Sequence, residues 1–132
     1  MKTIGRFVFD SVTQQAVAAN GNIPLPNRTV TNNYIQCDGY NITIDRCGTY
    51  LVLANFTFAA SATGVIETQM FRNGNAVPGA HSVDTSATIG NYYSQSFNAL
   101  VTVNRNAQTT INFKALSATN TRVAEAIVVK VA

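Results

Sequence analysis

Cys47-Gly48-Thr49-Tyr50-Leu51-Val52-Leu53-Ala54-Asn55-Phe56-Thr57-Phe58-Ala59-Ala60 is the stretch on which the fold turns. Drawn out as a strand, it puts Tyr50, Val52, Ala54, Phe56 and Phe58 on one side and Leu51, Leu53, Asn55, Thr57 and Ala59 on the other. Both sides begin apolar. An antiparallel strand normally shows water one of its faces, so a strand that is greasy on both needs a second surface to cover it, and a partner subunit is one way to supply it.

Working outward, the same two-sided pattern recurs. Tyr93, Gln95, Phe97, Ala99, Val101 and Val103 alternate with Ser94, Ser96, Asn98, Leu100 and Thr102, and Val123, Glu125, Ile127, Val129 and Val131 alternate with Ala124, Ala126, Val128 and Lys130. Strands of this kind belong together in one sheet, with the core on one side and a partner on the other. The residues expected in the core or at a subunit interface are Tyr50, Leu51, Val52, Leu53, Phe56, Phe58, Phe97, Val101, Ile127 and Val129. Which set faces which way stays open, because a one-residue register change swaps them. Asn55 and Thr57 predict a seam that is driest near Leu51 and Leu53.

The remaining segments are short. Arg6–Phe9 and Ala16–Ala18 read as strands joined by a polar connection, Asn22–Leu25 as an edge piece, and Arg28–Thr31 as a further strand. Tyr34–Cys37 and Tyr40–Ile44 flank Asp38-Gly39 as a hairpin, and Asn73-Gly74 follows Val65–Arg72 as a type I′ turn signal. Pro78-Gly79 predicts a stop, and His81–Asn91 a weak strand within a surface loop. Thr109–Ala115 and Arg122–Val131 complete eight to ten strands, and no long helical period occurs. The expectation is an all-β, two-sheet antiparallel sandwich in one domain, 1–132, with N-terminal strands and connections in 1–33 and the main sandwich in 34–132.

Composition narrows the function. Only 11% of residues are charged, against about 25% in an ordinary domain. The net charge of +3 comes from nine basic residues scattered singly, with no stripe for nucleic acid. No apolar run approaches the ~18 residues of a membrane span, and Met1–Arg6 lacks the apolar centre of a signal peptide, so the expectation is synthesis without Sec export and no membrane insertion. Cys37 and Cys47 read either as two half-buried free thiols or as a bridge across a strand pair. His81 is the single histidine, which leaves no His-rich metal site, and no Gly-x-Ser-x-Gly elbow accompanies His81-Ser82-Val83-Asp84. No cofactor and no catalytic group are expected. The sequons at Asn27, Asn41 and Asn55 fit chance in an Asn- and Thr-rich chain. His81, Tyr92 and Tyr93 are the candidate ligand-contact residues, with aromatic packing at the sandwich ends as the plainer account of the tyrosines.

Ile42-Thr43-Ile44 with Gly48-Thr49-Tyr50-Leu51-Val52, Phe71-Arg72-Asn73-Gly74-Asn75-Ala76-Val77-Pro78-Gly79, Phe97-Asn98-Ala99-Leu100-Val101-Thr102-Val103 and Ala126-Ile127-Val128-Val129-Lys130-Val131 follow one another in an order that resembles the C1q/tumour-necrosis-factor jelly roll. The likeness is to its bacterial and phage members, such as the C-terminal domains of collagen-like spore-surface proteins. Thr13–Ile23 is similar to the start of small prophage-encoded head-fibre or capsid-attached members. The resemblance implies about ten strands in a double-sheet jelly roll and a homotrimer with the Gly48–Ala60 strand beside the three-fold axis. It further implies a non-enzymatic structural role on a virion surface alongside other virion proteins, or alternatively a tip that binds a receptor or host-surface glycan. Two features depart from the family pattern. No Gly-X-Y stalk or heptad segment is present, which predicts a head without a shaft. Asp10, Asp38, Asp45, Glu67, Asp84 and Glu125 are dispersed, which speaks against the calcium cluster of some members.

Overall fold

The computed structural model describes residues 3–30 and 32–132. Eleven strands are formed among them, and no helix: β1 Ile4–Val17, β2 Gly21–Asn22, β3 Asn27–Val30, β4 Ile35–Cys37, β5 Ile42–Ile44, β6 Gly48–Ala59, β7 Gly64–Arg72, β8 Asn75–Ser86, β9 Tyr92–Val103, β10 Thr109–Ala115 and β11 Thr119–Lys130. They form two antiparallel sheets, ordered β3-β1-β11-β6-β9 and β4-β5-β10-β7-β8, with β2 added to β10. The anticipated two-sheet sandwich is thus formed. The opening stretch is central in its sheet, flanked by β11 and β9 along its whole length.

Alternation explains the core. From the five-stranded sheet Phe7, Ala54, Phe56, Phe58, Val52, Val101, Ala126 and Val128 point inward and are buried, and Ile42, Ile44, Ile66, Met70, Ile111 and Phe113 meet them from the other sheet. Phe113 lies 5.4 Å from Phe56 and 6.0 Å from Phe97, ring centre to ring centre, so the two layers are joined through tilted aromatic contacts. Tyr50 is fully buried, and burial raises its hydroxyl pKa; the hydroxyl donates to the Arg46 carbonyl at 2.7 Å, which satisfies it. Gly48 holds a positive φ of 145°, and a Cβ there would run into the Lys130 side chain and sit 2.9 Å from the Ala132 carbonyl. Glycine in Gly48-Thr49-Tyr50 therefore lets the last strand close on the first turn of β6.

Four local expectations are corrected. Arg6–Phe9 and Ala16–Ala18 are not separate strands but parts of the continuous β1, whose polar middle is absorbed by a bulge between Asp10 and Gln15. Asp38-Gly39 is not a two-residue turn. Asp38–Asn41 form a longer loop in which the Asp38 carboxylate accepts from the backbone N–H groups of Tyr40 and Asn41, and those donors hold its pKa below the ordinary carboxylate value. Of Asn22–Leu25 only Asn22 lies in a strand, while Ile23 and Leu25 are buried in the core. The fourth correction is Pro78-Gly79, which does not stop its strand. β8 runs on to Ser86 through a bulge, because it is an edge strand whose proline needs no partner and because the Gln69 amide donates to the carbonyls of Val77 and Ala80 where the ladder opens. Thr31, expected in a strand, lies outside the described residues. Asn73 and Gly74 both adopt positive φ, as a type I′ turn requires.

Candidate functional site: the outward face of the five-stranded sheet

The side of β6 turned away from the core carries Leu51, Leu53, Asn55 and Thr57, and the strand pairing aligns each with residues of three other strands. Ile4, Val129, Leu51 and Leu100 stand in one row. Arg6, Ile127, Leu53 and Asn98 form the next, then Val8, Glu125, Asn55 and Ser96, then Asp10, Val123, Thr57 and Ser94. Leu100 is 67% exposed and Val131, beyond the first row, 53%. The face therefore grades from an all-apolar row at one end to mixed and polar rows at the other.

Charge enters at the second and third rows already paired. Arg6 Nε donates to Glu125 Oε2 at 2.7 Å, Arg6 Nη1 to Thr29 Oγ1 at 2.9 Å, and Asn55 Nδ2 to Glu125 Oε1 at 3.4 Å. A second pair, Arg122 Nη1 with Asp10 Oδ1 at 2.6 Å, closes the polar end. Neither charge of the Arg6–Glu125 pair would be left single if this face were covered, which is what makes covering it feasible.

The residues singled out from sequence divide cleanly. Tyr50, Val52, Phe56, Phe58 and Val101 are buried on the core side, with Phe97 half-buried among them, while Leu51, Leu53, Ile127 and Val129 lie on the outward face. Ile4, Val8 and Leu100 complete that face and were not selected, because only the cross-strand register brings them beside Leu51. Tyr92 and Tyr93 begin β9, the strand expected from Tyr92 to Val103. The Tyr92 hydroxyl accepts from Gln14 Nε2 at 3.1 Å, whereas Tyr93 turns inward against the core. His81 is in β8, on the other sheet, with Nε2 2.5 Å from Glu67 Oε2. Sequence proximity thus does not join His81 and the tyrosines into one surface. Both cysteines are free: Cys37 Sγ donates to the Leu25 carbonyl at 3.5 Å, with burial raising its pKa, and Cys47 is exposed. Among the described residues no three His, Cys, Asp or Glu side chains converge in a way that would hold a metal ion.

At the edge where β8 and β9 approach, Gln95 bridges the sheets. Its amide donates to the Ile66 carbonyl at 2.8 Å and Asp84 Oδ2 at 3.0 Å, and its carbonyl accepts from Thr68 Oγ1 at 2.5 Å. At the other end of β9, Arg72 reaches from β7 to the Thr102 carbonyl. These contacts close the sandwich on that side and keep β9, which carries Leu100, in place.

No protein-family model matches the chain, and no curated protein matches it in sequence. Solved structures do match in shape. Murine APRIL at pH 5.0 superimposes with a TM-score of 0.74 at 13% identity, covering 99% of this chain and 100% of that one. Eiger TNF from S. frugiperda gives 0.74 at 11% identity over 99% and 93% of the two chains. The globular domain of the zebrafish complement 1qA protein gives 0.66 at 9% identity over 96% and 94%. The fold is the TNF/C1q-like jelly roll.

Proposed function

We propose that this chain is a non-enzymatic structural module that assembles as a homotrimer through the outward face of its five-stranded sheet. The observation that carries the reading is the row Ile4, Val129, Leu51 and Leu100, four apolar side chains opposed across four strands on the outward face, three of them half-buried and Leu100 exposed. Fully burying an exposed leucine is worth about 1.5–3 kcal/mol, and Leu100, 67% exposed, has the most to gain from a partner. The number three rests on the resemblance to the C1q/TNF family and on the matching fold. The setting, a phage or prophage head fibre or a similar virion surface appendage in contact with other virion proteins, rests on the likeness of Thr13–Ile23 to small head-fibre members.

Light scattering on the purified chain tests the assembly, and a stable monomer at micromolar concentration would sink it. Antibody labelling of intact virions tests the setting, with decoration of the capsid surface as the expected result.

A further inference from the structure

The sheet opposite the apolar face carries an arrangement of its own. Across β4, β5 and β10 the register, continued past the strand ends, lines up Tyr34 with Asp45 and Gln108, Gln36 with Thr43 and Thr110, and Asp38 with Asn41 and Asn112. The third row is closed on itself. Asn112 Nδ2 donates to Asn41 Oδ1 at 3.1 Å, and Asn41 Nδ2 to Asp38 Oδ2 at 3.1 Å. Beside it opens a cleft of about 290 Å³ whose walls include Tyr34, Asp45 and Gln108 of the first row, Gln36 and Thr43 of the second, and Asp38 of the third. Among the described residues, the side chains of Thr43, Asp45 and Gln108 bond to nothing, and Gln36 uses its amide only for the Asn33 carbonyl at 3.4 Å.

Tyr34 is 43% exposed yet held in place. The Arg46 guanidinium sits 4.9 Å from its ring centre, Arg46 Nη1 donates to Thr3 Oγ1 at 3.1 Å, and the Arg46 carbonyl is fixed by the buried Tyr50 hydroxyl. Arg46 stacks on the Tyr34 ring and is not part of the cleft wall. An aromatic plate fixed from behind, a free carboxylate, two primary amides and a hydroxyl are the groups that recognise a ring with one apolar face and a rim of hydroxyls. A carboxylate accepts from two neighbouring hydroxyls at once, and amides both donate and accept. The charges on the cleft wall are the Asp38 and Asp45 carboxylates, which disfavour an acidic ligand, while the Arg46 guanidinium lies outside that wall.

We propose that this cleft binds a neutral sugar unit of a glycan, with the pyranose face on Tyr34 and adjacent hydroxyls on Asp45, Gln36 and Gln108. The site lies on the six-stranded sheet, on the side opposite the apolar row. Its existence does not depend on the trimer.

Saturation-transfer NMR on the full chain tests this with the methyl glycosides of glucose, galactose, mannose and N-acetylglucosamine, and with sialic acid as the acidic comparison. The expected result is transfer to the ring protons of at least one neutral sugar and none to sialic acid. Tyr34→Ala abolishes the signal, Tyr34→Phe keeps it, and Asp45→Asn weakens binding about tenfold through loss of a charge-assisted hydrogen bond. Leu51→Asp, on the other sheet, leaves it unchanged. Absence of transfer to all four neutral sugars, a signal that survives Tyr34→Ala with an unchanged melting curve, or stronger transfer to sialic acid overturns the proposal. Should Tyr34→Ala fail to fold, Gln108→Ala and Asp45→Asn take its place, and full binding in both overturns it equally.

Discussion

On the outward side of the five-stranded sheet Ile4, Val129, Leu51 and Leu100 stand shoulder to shoulder, while the outward side of the six-stranded sheet is mostly polar, with some side chains bonded to one another and others left open at the cleft beside Tyr34. There Asn112 meets Asn41, Lys114 lies 5.0 Å from the Phe71 ring centre, His81 meets Glu67, and the exposed valines Val65 and Val83 stand apart from any such row. Single exposed valines are ordinary on a protein surface, whereas a contiguous apolar row across four strands is the feature on which the proposed subunit contact rests. The same period-two alternation built both faces. What differs is the second set of residues, which lines up as an apolar row on one sheet and stays polar, with its valines scattered, on the other.

The largest effect should come from breaking the apolar row. Leu51→Asp puts an unpaired charge into the seam at a cost of about 3–5 kcal/mol per subunit, and the trimer should fall apart to monomers in size-exclusion chromatography with light scattering. In that monomeric background Gln95→Leu should cost up to about 3 kcal/mol in urea unfolding, because Thr68, Asp84 and the Ile66 carbonyl lose their partner. It acts between the sheets and so leaves the outward faces as they are. Glu125→Gln strips Arg6 of its countercharge. The half-exposed pair is worth about 1 kcal/mol or less in the monomer, and the loss should appear as a weaker subunit dissociation constant in sedimentation runs at several loadings.

Val83→Asp applies to the other face the same chemistry as Leu51→Asp. It should leave the subunit number unchanged and shift stability by less than about 0.5 kcal/mol. The smallest effect belongs to Asp38. Its folded pKa is lowered by the N–H groups of Asn41 and Tyr40, so its contribution is fully present above the unfolded value of about 3.9 and is lost as pH falls through the lowered one. The amide resonances of Tyr40 and Asn41 should hold steady above pH ~4 and move below it.

How much of this was legible beforehand follows from the range of each interaction. Alternation is local, so the two-faced character of Gly48–Ala59 and of the strands ending in Val103 and Lys130 could be read directly, as could the positive-φ pair Asn73-Gly74. Orientation was not legible, because nothing local says whether Tyr50 or Leu51 meets the core. The continuation of β8 past Pro78 was hidden because it depends on Gln69 in the neighbouring strand. The same holds for both surfaces described above. Leu100 stands beside Leu51, and Gln108 beside Asp45, only through pairing between distant segments.

Sedimentation equilibrium of the unmodified chain at micromolar concentration tests the seam most directly. A single species of three times the 14.1 kDa chain mass is predicted, and a stable species of one chain mass at that concentration would contradict the assignment of the outward face.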